Sequence, residues 1–152
     1  MKKIALFVAL IFITVACTNY KDISIEDVRY GSLSAQSTSK IILTLDVKIN
    51  NPTKKKLTIT DGTLELFQQN RNLASLSVGS PTVIAPKSNE YNQLVLNITL
   101  KDFMAFLGIN PNNPDLLEQF DVEGFLKVKA GAVGKKINIQ RTNFKNLHQN
   151  LK

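Results

Sequence analysis

Cysteine and histidine are almost missing from this chain of 152 residues, which has one of each, Cys17 and His148. One cysteine excludes a disulfide within the chain, and the two residues together are too few for a zinc site built from His and Cys ligands. Nucleophilic catalysis with a histidine base would have to use His148, which sits in a polar tail where a solvated imidazole is the expectation. No glycine-rich phosphate loop and no calcium-loop spacing is present, and no metal or cofactor is expected. Internal repeats are absent. Helical apolar spacing is rare, which excludes a chain of alternating strands and helices and with it a parallel doubly wound sheet.

The long hydrophobic run stands at the start. Lys2 and Lys3 precede apolar residues 4–13, and Thr14-Val15-Ala16 leads into Cys17. A membrane-spanning helix needs about 20 apolar residues, so this run is too short to be one. A charged start, a short apolar stretch and a small residue before the cut mark a cleaved secretion signal. With its cysteine at the cut, the segment resembles the bacterial lipobox, in which the thiol takes a diacylglyceryl group and becomes the new N-terminus. Thr14 stands where that pattern usually has Leu. The resemblance implies a signal peptide over residues 1–16, lipidation at Cys17, and a lipoprotein of the bacterial cell envelope that reaches the membrane through its anchor. Thr18, in place of the Asp that resembles an inner-membrane retention signal, points to the outer membrane. The competing reading, a free thiol, sits badly in an oxidising compartment.

Without residues 1–16, 136 residues remain of the 152, enough for one domain with its own core. Removing Lys2 and Lys3 from the 19 basic side chains leaves an excess of five over the 12 acidic ones. Nucleic acid is not an expected partner of an exported chain. An anionic membrane or polysaccharide surface is, through an attraction that weakens with salt. The basic run Lys54-Lys55-Lys56 supplies candidate contacts of that kind. Its plainer role is to keep a turn soluble and to blunt edge pairing.

Residues 17–22 form a short polar tether, and from residue 23 onward the pattern has period two. Ile23, Ile25 and Val28 suggest a first strand, and the Ser- and Thr-rich residues 31–39 read as a loop. In residues 40–50, Leu43, Leu45, Val47 and Ile49 alternate with polar residues until Asn51-Pro52 ends the ladder. A strand follows from residue 57, with a bend or bulge at Asp61-Gly62 and a hairpin tip over residues 70–72. Leu73, Leu76 and Val78 make a short strand closed by Gly79-Ser80-Pro81, and Ala85-Pro86-Lys87-Ser88 is another turn. Residues 91–100 alternate cleanly. A helix is predicted over residues 101–107, capped by Asp102 and stopped by Gly108. After a turn cluster at residues 110–114 comes a helical turn over 115–120, then a hairpin from residue 122 to 141. Residues 145–152 are expected to fray as a flexible tail. These strands and turns give an antiparallel β-sandwich as the default.

From Asn51-Pro52 onward the chain resembles the late embryogenesis abundant type 2 family, which carries the water-stress and hypersensitive-response domain. The pieces are Asn51-Pro52, Leu57-Thr58-Ile59, Leu64-Glu65-Leu66-Phe67, Leu73-Ala74, Ala85-Pro86-Lys87-Ser88 and the alternating residues 94–100, in the family's order and spacing. Asn70-Arg71-Asn72 stands where the family's hairpin commonly has a glycine. The resemblance covers about residues 23–142. It implies an all-β, immunoglobulin- or fibronectin-like antiparallel β-sandwich with one short helix, filling a domain at residues 23–144. It also implies a link to stress tolerance, with no established enzymatic mechanism. Asn51 is explained by turn chemistry, since its side chain can bond neighbouring backbone while Pro52 ends the strand; ligand contact is the lesser reading.

Chemistry has few candidates. Glu26 with Asp27, Asp115 with Glu118, and Asp121 with Glu123 are the closest acidic pairs, and solvated surface is the expectation for all three. Phe103, Phe106 and Phe120 cover one end of the sandwich, and they are also the best candidates for an apolar pocket. The expected function is a monomeric, non-enzymatic, lipid-anchored envelope protein acting as an interaction or stress-protection module towards an envelope protein, glycan or lipid. The alternative is a carrier for lipid or another apolar ligand. An envelope hydrolase would need two acids converging in a cleft.

Overall fold

Alternating apolar residues turn one face of each central strand inward and leave the other in solvent. In the computed structural model, which describes residues 22–37 and 40–149, eight strands form. They are β1 (Ser24–Ser37), β2 (Lys40–Asn51), β3 (Leu57–Gln68), β4 (Arg71–Val78), β5 (Thr82–Ile84), β6 (Ser88–Leu100), β7 (Asp121–Ala130) and β8 (Val133–Asn143). The helix α1 (Phe103–Leu107) and two 3-10 helices, Leu116–Gln119 and Phe144–Gln149, complete the order. Every pairing is antiparallel, in the order β1-β2-β6-β4-β3-β7-β8 with β5 beside β3. The fold is therefore all-β and sandwich-like with one short α-helix, as the sequence predicts. The signal segment, Cys17 and the tether up to residue 21 lie outside the described residues, as does the side chain of His148.

One hydrogen-bonded sheet becomes two layers because β4 and β5 act as a single broken strand. Both run along β3, β4 opposite residues 63–68 and β5 opposite residues 57–59. On its other edge β4 pairs with the last residues of β6. After Gly79-Ser80-Pro81 the chain stays with β3, while β6 continues beside β2. Strands β1, β2 and β6 thus form one layer and β3, β5, β7 and β8 the other, with β4 as the seam. The core between them is aliphatic. Leu45, Leu57, Leu73, Leu76, Leu96 and Val122 are each no more than 1 % exposed. Burying each such side chain is worth about 1.5–3 kcal/mol, which is how eight short strands overcome their ordering entropy.

Two expectations are overturned. Residues 31–37, read as a loop, belong to β1, which pairs with β2 along its length through three register shifts. An edge strand with one face in solvent needs no apolar alternation, and bulges discourage pairing with another chain. The tail does not fray at residue 145. Phe144 and Leu147 are 1 % and 6 % exposed, and the 3-10 helix Phe144–Gln149 packs against both β1 and β8. Those two outer strands would otherwise leave the sandwich open opposite its seam.

Smaller features follow the sequence closely. The predicted irregularity near Asp61-Gly62 is a register shift between Ile59 and Asp61. It moves the inward face of β3 from Leu57 and Ile59 to Gly62, Leu64 and Leu66. The β3–β4 hairpin turns on Gln69 and Asn70, both at positive φ, one residue earlier than predicted and with the twist that two-residue hairpins favour. Asp102 caps α1 by accepting from the Ala105 N–H at 3.0 Å.

Asn51 is fully buried. Its Nδ2 donates to the carbonyl oxygens of Lys55 (2.9 Å) and Ala85 (2.8 Å). Its Oδ1 accepts from the Thr53 N–H (3.1 Å) and the Thr53 hydroxyl (2.7 Å). All four hydrogen-bonding positions of the amide are used, so turn chemistry accounts for it and no capacity is left for a ligand. Replacing Asn51 with Ala leaves those partners unmatched in a dry setting, and we expect a loss of about 3 kcal/mol in urea unfolding.

Gly124 gives a second test. It has φ +149°, and a Cβ there would stand 2.1 Å from the Thr63 carbonyl oxygen. Gly131 also has positive φ, but nothing lies within 4 Å of its Cβ position. Gly124→Ala should cost about 3 kcal/mol or more and Gly131→Ala only about 1 kcal/mol in the same assay; equal losses would contradict the close approach of β7 to β3.

Candidate functional site

The register fixes which loops share an end. Ser24 lies opposite Asn50, Asn51 opposite Ser88, Leu57 opposite both Ile84 and Ala130, and Ala130 opposite Val133. The start of β1, the β2–β3 loop, the β5–β6 turn and the β7–β8 turn therefore gather at one end, where the chain arrives from residue 22. Lys54 and Lys56 are exposed there and Lys55 is half-buried. Lys87 and Lys129, which the sequence reading did not single out, are exposed at the same end. Residues 30 or more apart in sequence meet only through the pairing, so no local signal could have grouped them.

The opposite end carries β3–β4, α1 and the start of β7; three of its cations are paired, while Lys40 at the start of β2 is exposed there. Lys101 Nζ meets Glu65 at 2.5 Å and Arg141 meets Asp121 at 3.4 Å. Arg71 pairs with Asp102. Helix α1 buries none of its residues. Phe103, Met104 and Leu107 are 58 %, 76 % and 61 % exposed, whereas Phe106 packs partly on the core. Phe120 is a core residue at 4 % exposure, drawn in beside Leu116 and Leu117 of the 3-10 helix.

A cleft of about 530 Å³ opens between residues 27–30 of β1 and residues 111–118, closed at one side by Lys145. Phe103, Phe106 and Phe120 do not line it. The loop over it is held by side chains that mimic backbone turns. The Asn112 N–H donates to Asn110 Oδ1 and the Asp115 N–H to Asn113 Oδ1, each at 3.0 Å. Asp27, Asp115 and Glu118 all line this cleft, so the acidic pairs near residues 26 and 115 do approach each other. Asp27 and Glu118 are engaged in cross-links. Asp27 accepts from the Tyr91 hydroxyl at 2.7 Å and from Arg29 Nε at 3.0 Å, and Arg29 stacks over the Tyr91 ring at 4.2 Å. Glu118 pairs with Lys145. The Tyr91 hydrogen bond, then Arg29, hold the Asp27 carboxyl below the usual carboxylate range. A general acid needs the opposite shift. Asp121 and Glu123, the third acidic pair, lie on β7 away from the cleft lining. Among the described residues, no group of three His, Cys, Asp or Glu could hold a metal ion.

No family model matches the chain, and no curated protein matches it. Among solved structures, a protein from Archaeoglobus fulgidus superposes with a TM-score of 0.53 at 12 % identity, covering 80 % of this chain and 97 % of that one. A structural-genomics target solved by X-ray gives 0.44 at 12 % identity, covering 80 % of this chain and 85 % of its own. At 12 % identity the archaeal protein shows the fold alone, and the class so defined is an all-antiparallel β-sandwich. No helix among the described residues is long and apolar enough to cross a membrane.

The low Asp27 pKa sets a pH dependence. A carboxyl with a lowered folded pKa adds stability that is complete above its unfolded value and is lost as pH falls through the folded one. Glu26, Asp61, Glu65 and Asp102 are shifted the same way. Thermal unfolding midpoints should therefore fall as pH drops below the ordinary carboxylate range, through the lowered Asp27 value. Asp27→Asn and Tyr91→Phe should each flatten that acid limb relative to the unchanged chain, and an unaltered limb would show that the pair is not coupled to folding.

Proposed function

We propose that the chain is a bacterial envelope lipoprotein, anchored through Cys17, whose sandwich resembles the late embryogenesis abundant type 2 domain and works as a non-enzymatic interaction or stress-protection module. The observation that carries this reading is the polarity of the domain. The chain enters β1 at one end, and α1 exposes Phe103, Met104 and Leu107 at the other. A domain held at its entry end offers those side chains to a partner away from the membrane, where exposed apolar clusters mark contact surfaces. The paired state of Asp27 and Glu118 supports a structural role for the acids of the cleft.

The alternative is a carrier of lipid or another apolar envelope ligand. The cleft beside β1 favours it by volume, but its lining sets the charged Asp27, Arg29, Glu118 and Lys145 beside Val28, Pro111, Pro114 and Leu117, and four charged groups suit an amphipathic or polar guest better than a bare acyl chain.

Intact mass measured on protein extracted from native-host membranes, beside a Cys17→Ser variant, separates the readings. Wild type should carry a triacyl mass increment that the variant lacks, and no other lipid should remain after delipidation. Lipid that copurifies with the Cys17→Ser variant would favour the carrier. An unmodified soluble chain would overturn the anchor.

A further inference from the structure

We propose that the lysine-rich end of the sandwich is a docking surface for the headgroups of anionic phospholipids, and that it holds the domain upright on the membrane that anchors it. The orientation rests on the anchoring reading above. The surface itself is built by the fold.

Four exposed lysines from three separate segments meet at this end: Lys54 and Lys56 from the β2–β3 loop, Lys87 from the β5–β6 turn, and Lys129 from the end of strand β7. The acids nearby are Glu26, which is bridged to Lys48 at 3.1 Å, and the exposed Asp22 and Glu90. At the far end, in contrast, Arg71, Lys101 and Arg141 are each matched to a carboxylate. Among the described residues, exposed cations thus gather at the end where the chain enters the domain.

The backbone there is fixed rather than loose. The Lys87 N–H donates to the Thr53 carbonyl oxygen at 2.9 Å, and Asn51 bonds to Lys55 on one side and Ala85 on the other. These bonds tie the two lysine-bearing turns together, so their cations are presented as a set. Lys87 itself has φ +50° after Pro86, in the turn position where glycine or asparagine is the lower-energy choice. A residue held there at an energetic disadvantage is a sign that its side chain has a use.

Reach decides the partner. The link from Cys17 to Ser24 spans at most about 25 Å when fully extended. An acylated Cys17 therefore keeps this end close to the lipid, and a tether relaxed to about a third of its full span brings it within a Debye length of the surface, about 8 Å at physiological salt. An anionic leaflet attracts each nearby lysine strongly enough to change partitioning about fivefold per charge.

The test uses the chain from residue 17 onward with Cys17→Ser, which keeps every described element and removes the acyl chain. It is titrated with vesicles rich in phosphatidylglycerol and with pure phosphatidylcholine vesicles. Binding should appear only with phosphatidylglycerol and vanish at high salt. Replacing Lys54, Lys56 and Lys87 with Gln should weaken it at least about tenfold, while the same change at Lys40, Arg71 and Lys101 on the far end should not. Lys87→Gly relieves the positive φ, so its Tm should hold or rise while binding falls about fivefold. No binding, binding to both vesicle types, or equal loss in both triple variants would overturn the proposal. Retention on a soluble anionic polysaccharide without vesicle binding would overturn it in favour of a glycan. Because the acyl chain is absent throughout, a negative mass result at Cys17 would strike the anchor and leave this outcome standing.

Discussion

The buried amide of Asn51 is the constraint on which the entry end of the domain depends. At the far end the two layers need no special device, because β4 is hydrogen-bonded to both β6 and β3 and carries the sheet across. At the entry end that seam is gone, and the β2–β3 loop and the β5–β6 turn are held together by the Lys87 N–H bond to Thr53 and by Asn51. Asn51 closes the gap by donating to Lys55 in its own loop and to Ala85 in the other. An apolar residue would fill the space without supplying donors, and an aspartate would set acceptors against two carbonyl oxygens. Only a side chain with two donors and an acceptor fits. The turn geometry of Pro86-Lys87, and hence the placement of the lysines, follows from that one residue.

The side opposite the seam is closed by different means. Strands β1 and β8 are the outer strands of the hydrogen-bonded path and bury little, Val28 in one and Ile139 in the other. Two 3-10 helices fill the space between them with Leu116, Leu117, Phe144 and Leu147. The Phe144 N–H donates to the Phe120 carbonyl oxygen at 2.9 Å, joining the two helices. The ion pair of Glu118 with Lys145 lies over this joint, and Asp27 with Tyr91 ties β1 to β6 across β2. Exposed pairs of this kind add little stability each. Their position along one open side makes them positional clamps rather than a reservoir of energy, which also explains why three carboxylates can share a cleft without forming an acid–base pair.

Legibility in the sequence tracked how much each element buries. Strands with a full inward row, such as β2 and β6, could be read directly from Leu43, Leu45, Leu94 and Leu96, because burial enforces period two. The latter half of β1 could not, since an edge strand exposed on one face and broken by bulges tolerates Ser, Thr and Gly. Phe144–Gln149 failed for a related reason: two apolar residues three apart in a polar stretch are too weak a signal to distinguish a docked turn from a tail. Phe120 was grouped with Phe103 and Phe106 by residue type, yet the 3-10 helix turns it into the core while α1 is too short to bury a face. The cleft, and the joining of Lys87 and Lys129 to the predicted Lys54-Lys55-Lys56 run, were illegible for a deeper reason. Each is assembled by pairing partners dozens of residues apart, and nothing in local spacing encodes that register.

Charge placement outweighs net charge in setting what such a domain meets. A modest basic excess spread evenly over a surface is largely screened beyond a Debye length, and opposite charges on neighbouring strands cancel it further. Here the cancellation is uneven. Ion pairs take up the far-end cations Arg71, Lys101 and Arg141, and Lys127 is taken up by Asp61 at 2.8 Å on the flank. The entry end keeps Lys54, Lys56 and Lys87 exposed on two turns locked to one another, with Lys129 exposed at the end of β7. A tether alone would let the sandwich tumble over the membrane, so that any face met the lipid equally often. On the proposed anchoring, a cationic end adjoining the tether would break that symmetry and turn α1 outward. Orientation would then come from the same hydrogen-bonded turns that hold the two layers together.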